Sequence, residues 1–269
     1  MQINNKLVEE SFRFTPEKNN MSFRSEEVER LGEINNYCRE IGEKILCKDE
    51  IWDIEVESGV KLADWIYSRR GSGSQTDRKL VEEIINKQGI SSSHGIDINI
   101  SLGKWENAAD NTDVYVDCRR EILGHIDTPE EYFEFMHSCF IDSYFADNIL
   151  SEMKHIKDFA VHAKEITDNL AVLNDEAIEL YCEYQNNLAE ANDILSSKLL
   201  ECSVDPKHRE ALWFPFTYED VHTDIKCEPH MKLIRRDSDL RIYFYWKDER
   251  IADGSKVLIG RIGRHPWKK

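Results

Sequence analysis

Between Thr128 and Leu200 the chain contains no glycine, and its single proline is Pro129. A stretch of this length without either breaker admits little besides long helices. Thr128-Pro129-Glu130-Glu131 is a helix start. Threonine serves as N-cap, proline takes the first helical position, where its missing N–H costs nothing, and Glu131 can close a capping box. Beyond it Ile149, Met153, Ile156, Phe159 or Ala160, Ala163 and Ile166 recur at helical steps, and Ile178, Tyr181, Cys182, Leu188 and Leu195 form a second stripe. Leu173-Asn174-Asp175 predicts a break between them, with Asn174 or Asp175 capping the second helix. The expectation is a two-helix hairpin with arms of about 25 residues, roughly 35–40 Å each at the rise of an α-helix. Two amphipathic helices leave much of each stripe uncovered, so the hairpin needs a third surface. A second copy, giving a homodimer, is the expected provider, with the N-terminal region as the alternative.

The preceding region mixes periods. Residues 1–24 show no sustained pattern and read as an irregular lead-in. Val28, Leu31, Ile34, Cys38, Ile41 and Ile45 predict a helix after Ser25, and Leu62, Trp65 and Ile66 a shorter one over Gly59–Ser68. The segment RRGSGSQ predicts a mobile loop, after which Thr76 caps a helix carrying Leu80, Ile84 and Ile85 that ends at Gly89. Ile96, Ile98, Ile100 and Leu102 alternate as in a half-buried strand, with Val114 and Val116 in its partner.

After Asp205-Pro206 the sequence becomes aromatic and β-rich. Met231–Arg235, Arg241–Lys247 and Lys256–Ile262 predict three strands joined by RDSD and DERIADGS turns. The fold class is therefore α+β. An N-terminal α/β region spans 1–126, a long helical hairpin 127–203, and a small C-terminal antiparallel β-sheet 204–269.

Charge is also unevenly distributed along the chain. Eleven Lys and Arg against five Asp and Glu leave the last forty residues at +6, and with −17 for the whole chain the preceding 229 carry −23. A basic end on an acidic body fits a phosphate-rich partner, or docking on acidic protein surface. No run approaches the ~18 apolar residues of a membrane span, and the first residues lack a basic-then-apolar leader, so a cytoplasmic protein is expected. Seven scattered cysteines without a CxxC predict reduced thiols rather than a disulfide framework or zinc site.

In an antiparallel meander, Ile242, Phe244 and Trp246 share one face, while Arg241, Tyr243, Tyr245 and Lys247 share the other. Running the three strands up, down and up gathers Arg235, Arg236, Arg241, Arg261, Arg264 and His265 at one end. His230 then falls roughly 16 Å away at about 3.3 Å per residue, which argues against a two-histidine acid/base pair. Arg241, Tyr243, Arg261 and His265 form the candidate catalytic cluster, with Lys232, Arg235, Arg236 and Arg264 as nucleic-acid contacts. Cleavage of RNA without metal needs a base for the 2′-hydroxyl proton, cations for the charged transition state and an acid for the leaving oxygen. These residue types supply all three. They also occur on ordinary solvated sheet faces, and His265-Pro266-Trp267 could equally close a packed terminus.

The segments HMKLIRRDSDLRIYFYWKDER and KVLIGRIGRHPW resemble the end of RelE/ParE-type toxins and, more broadly, the barnase/EndoU/colicin/RelE group of small RNases. The resemblance covers forty to sixty residues. It implies a helical segment before a curled antiparallel sheet that presents Arg, Lys, Tyr or His to RNA, and a toxin or phage-defence role. An N-terminal body four times the size of the sheet departs from a free-standing toxin, which leaves a module kept for recognition alone as the other reading. The rival expectation is a non-catalytic interaction or regulatory protein whose basic sheet docks on an acidic partner.

Other motifs carry less. GSGS at 71–74 lacks the GK[ST] of a phosphate loop. Asp97, Asp113, Asp117 and Glu121 could hold Mg²⁺ but read better as surface carboxylates. His155 and His162 lie two helical turns apart, too far to chelate one ion. No cofactor or metal is therefore expected.

Overall fold

The computed structural model describes residues 2–3, 6–7, 32–33, 36–42, 47–48, 52–53, 55–88, 90–91, 112–198, 202–204, 208–233 and 239–267. It is a mixed α+β chain, as the sequence predicts, and divides into two compact units, residues 1–119 and 120–269. No helix among the described residues is long and apolar enough to cross a membrane.

The first unit holds short paired strands: β1 (Gln2–Ile3) with β2 (Lys6–Leu7), β3 (Cys47–Lys48) parallel to β6 (Ile90–Ser91), and β4 (Glu55–Glu57) against β5 (Val60–Lys61). Two helices lie between them, α1 (Leu62–Tyr67) and α2 (Gln75–Gln88). The cap of α2 is Ser74 rather than Thr76: its hydroxyl accepts from the Asp77 N–H at 3.0 Å, and Asp77 Oδ2 accepts from the Ser74 N–H at 3.3 Å. The RRGSGSQ loop is stapled. Arg78 donates to the carbonyls of Trp65 (2.5 Å) and Gly71 (2.9 Å) with its guanidinium over the Trp65 ring, and Trp65 Nε1 donates to the Ser72 carbonyl. Of the first predicted helix, residues 32–33 and 36–40 are helical among the described residues, and Cys38 is buried. The Ile96–Leu102 strand lies outside the described residues. Its predicted partner is a helix instead, α3 (Thr112–Leu123); two valines two apart satisfy either period, and the following Arg119, Ile122 and Leu123, all buried, decide for the helix.

In the second unit α4 (Pro129–Cys139) starts as read, with Thr128 Oγ1 accepting from the Glu131 N–H. The short strand β7 (Ser143–Phe145) and helix α5 (Ile149–Met153) follow. The hairpin exists but is unequal: α6 (Phe159–Tyr184) runs 26 residues through the expected break, and α7 (Leu188–Lys198) has 11. The chain reverses at Gln185-Asn186-Asn187. Asn174 is no cap. Buried on α6, its Oδ1 accepts from the Asp142 N–H (2.9 Å) and Ser143 Oγ (3.0 Å), and so fixes the entry to β7. The stripe Ala163, Ile166, Leu170, Leu173 and Ala177 is fully buried, and α6 packs on the sheet of the same chain.

That sheet has the order β7-β13-β12-β11-β8, where β8 is Cys202–Val204, β11 is Pro229–Lys232, β12 is Leu240–Tyr245 and β13 is Val257–Arg264. The predicted meander is its centre, and β7 joins β13 in parallel. A hairpin that the sequence reading missed, β9 (Trp213–Tyr218) with β10 (Val221–Lys226), contributes buried Phe214, Phe216 and Ile225. It touches the sheet so closely that a Cβ on Gly260 would sit 2.6 Å from Phe214 Cδ2 and 2.7 Å from Cys227 Sγ.

Candidate functional site

The meander's register decides which side chains meet. Lys232 lies opposite Arg241 and Arg241 opposite Gly263; His230 lies opposite Tyr243 and Tyr243 opposite Arg261. The β12–β13 register shifts between Tyr243 and Phe244, so strict alternation fails there. Tyr243 and Phe244 are both fully buried, and Tyr243 lies 6.0 Å from the Phe214 ring. The face expected to be polar is thus covered at Tyr243, while Arg241, Tyr245 and Lys247 are half-buried.

Two histidines converge on this phenol. Tyr243 Oη shares a 2.5 Å hydrogen bond with His265 Nδ1, and the His230 ring lies 4.9 Å from the Tyr243 ring. The two imidazoles stand edge to face at 6.2 Å, which corrects the expected separation. The strand-axis estimate ignored the reach of three ring side chains and the turn at 266–267. His230 is 4% exposed and is held by Ser203 Oγ at its Nε2 (3.1 Å). His265 is half-buried and stacks on Trp267 at 4.5 Å, which stacks in turn on His208 at 4.2 Å.

Cations surround this end of the sheet unequally. Arg241 donates from Nη1 to the Leu240 carbonyl at 2.7 Å, and Arg264 is exposed. Arg261 points elsewhere: Nη2 pairs with Glu152 Oε2 at 2.7 Å and Nε donates to the Arg264 carbonyl at 2.6 Å. Lys232 is half-buried at the level of Arg241. Arg235 and Arg236 lie outside the described residues. Lys232, Arg241, Arg264 and His265 are therefore brought to one end of the meander, and the His265 amide, donating to the Asp239 carbonyl, fixes the chain there.

The thiols nearby are inert. Burial pushes Cys227 far up, and burial with Asp193 pushes Cys202 up to about 12, so neither is a thiolate at neutral pH. Among the described residues no group of three or more His, Cys, Asp or Glu is arranged to hold a metal ion. Asp113 and Asp117 are exposed on α3, and Glu121 is engaged with His125 (3.2 Å) and Lys164 (3.6 Å). Asp97 lies outside the described residues.

The arrangement holds one imidazole in place, by Tyr243, at the end of the sheet that also carries Arg241 and Arg264. Tyr243, expected in the catalytic cluster, has no solvent exposure and hydrogen-bonds His265 through its hydroxyl. His208, His230, Ser203 and Trp267 were not among the predicted site residues; the only signal for them was their aromatic or polar character near the strands. No protein-family model matches this chain, and neither curated proteins nor solved structures provide a match.

Proposed function

We propose that the Lys232–Arg241–Arg264–His265 end of the meander is an RNA-binding surface at which His265 transfers protons in metal-independent cleavage of the phosphodiester. The hydrogen bond between buried Tyr243 and His265 carries this reading. A phenol with no solvent exposure, hydrogen-bonded to one imidazole nitrogen, fixes the orientation of that ring. In the reaction the neutral imidazole donates Nδ1–H to Tyr243 Oη, so that Nε2 takes the 2′-hydroxyl proton. The 2′-oxygen attacks phosphorus, Arg241 and Arg264 stabilise charge on the phosphorane-like transition state, and the 5′-oxygen leaves as its bond to phosphorus breaks, taking a proton from the imidazolium or from water. The C-terminal resemblance to RelE/ParE-type RNases supports the same class, with a cytoplasmic toxin or defence role.

A second reading rests on Arg261 and Glu152: the basic sheet already docks one guanidinium on an acidic group of its own chain. In that reading the module is non-catalytic and binds an acidic protein partner. Purified protein incubated with total RNA in EDTA separates the two. Cleavage that is lost in His265→Ala and in Arg241→Ala, but kept in Lys157→Ala on an exposed turn, supports the ribonuclease. Intact RNA throughout removes it in favour of the docking module.

A further inference from the structure

At the far end of β12 from His265, a cavity of about 550 Å³ opens between α7, β8 and the β9–β10 hairpin. We propose that it binds an uncharged planar nitrogen heterocycle of the nucleobase type, independently of the RNA reading. Its volume lies in the ordinary range of small-molecule sites.

The walls are flat and aromatic. Trp246, 1% exposed, lines it and is held edge-on against Phe244 (5.3 Å) and tilted against Tyr181 (6.4 Å). Trp213 and Tyr245 line it too, and Leu188, Val204, Ile225 and Pro229 add apolar lining. Trp213 is 51% exposed and Val204 49%, so large apolar surfaces here lack the cover that the rest of the sheet has. Aromatic faces of this kind stack on any base.

The charges at the mouth cancel within the protein. Lys226 pairs with Glu228 at 2.8 Å. Asp248 takes Nε and Nη2 of Arg250, both at 2.8 Å, and Arg250 Nη1 donates to Thr223 Oγ1. Neither an anion nor a cation is therefore favoured. Two polar groups are left to choose the ligand. Cys202, kept a thiol by burial, donates from Sγ to Asn192 Oδ1 at 3.2 Å and so fixes the amide's orientation. Asn192 Nδ2 has no partner among the described residues, and neither has the Tyr245 hydroxyl. A ring nitrogen or ring carbonyl is the group that both can serve.

The test is calorimetric titration of the full chain with adenosine, guanosine, cytidine and uridine and with their 5′-monophosphates, at low and high salt. At least one nucleoside is expected to bind one per chain, unaffected by salt and by His265→Ala, with its monophosphate within about threefold. Trp213→Ala should weaken it about tenfold or more, while Trp213→Phe, which keeps a stacking face, stays near wild type. Because Trp213 is half exposed, both variants should keep the wild-type circular dichroism spectrum. Binding by none of the nucleosides overturns the proposal. So does a salt-sensitive preference for monophosphates above about tenfold, or an unchanged affinity in Trp213→Ala.

Discussion

The guanidinium of Arg261 lies 2.7 Å from the carboxylate of Glu152, tying β13 to α5 with side chains only 13% and 19% exposed. Reversing one charge sets two carboxylates together in a nearly dry contact. Arg261→Glu should therefore destabilise the fold by about 2–4 kcal/mol, and adding Glu152→Arg should restore part of the loss. Urea unfolding of the two single variants and the exchanged pair measures this; an unchanged midpoint in Arg261→Glu would show that the contact contributes nothing.

Tyr243→Phe removes one hydroxyl from a fully buried ring and leaves the packing in place. Stability should fall by only about 1 kcal/mol, the net worth of one hydrogen bond. The ring resonances of His265 in nitrogen-correlated spectra should change at Nδ1, and any RNA cleavage should drop with them. Wild-type spectra for His265 in the variant would contradict its positioning by Tyr243.

His137 packs edge-on between Phe133 (4.8 Å) and Phe145 (5.0 Å), and burial holds its protonation below the ordinary histidine range. The unfolded chain binds that proton more readily. The stability it contributes is complete above the unfolded value of about 6.5 and is lost as pH falls below it and through the depressed folded value. Thermal melts should show wild type losing stability as pH is lowered below about 6.5, with His137→Phe losing less. Equal slopes for both proteins would remove the assignment.

Asn174→Leu keeps the volume of a buried α6 position but deprives the Asp142 N–H and Ser143 Oγ of their acceptor. The expected cost is about 2 kcal/mol, with hydrogen exchange accelerating at β7 before the rest of the sheet. Uniform acceleration would place the effect elsewhere.

Local chemistry was legible wherever it acted locally. The Thr128-Pro129 start, the three meander strands and the apolar stripe of α6 all follow from spacing and capping. Asn174 misled for a physical reason: a polar residue between two stripes looks like a cap, and only tertiary structure shows that it serves a strand 31 residues back. The β9–β10 hairpin was hidden because Pro215 interrupts an otherwise aromatic alternation, and proline ordinarily argues against a strand. In the candidate site, the clustering of basic residues at one end could be read from strand order. The meeting of His230, Tyr243 and His265 could not, since it depends on side-chain reach and on a shift in register at Tyr243. The pairing of Arg261 with Glu152 was equally invisible, because it joins a strand to a helix roughly a hundred residues earlier.

The parallel pairing of Val257 with Ser143 places β13 between β12 and a strand made roughly a hundred residues earlier in synthesis. A chain emerging from the ribosome holds two unfinished edges, β7 and β12, until the strand that belongs between them is released. Closing so long a loop is slow, so sheet completion becomes the late, committing step of folding rather than helix formation. Pulse-labelled refolding should protect the amides of β7 and β13 together, after those of α6. Until then both edges are open to pairing with other chains, which makes the nascent protein a natural client for chaperones.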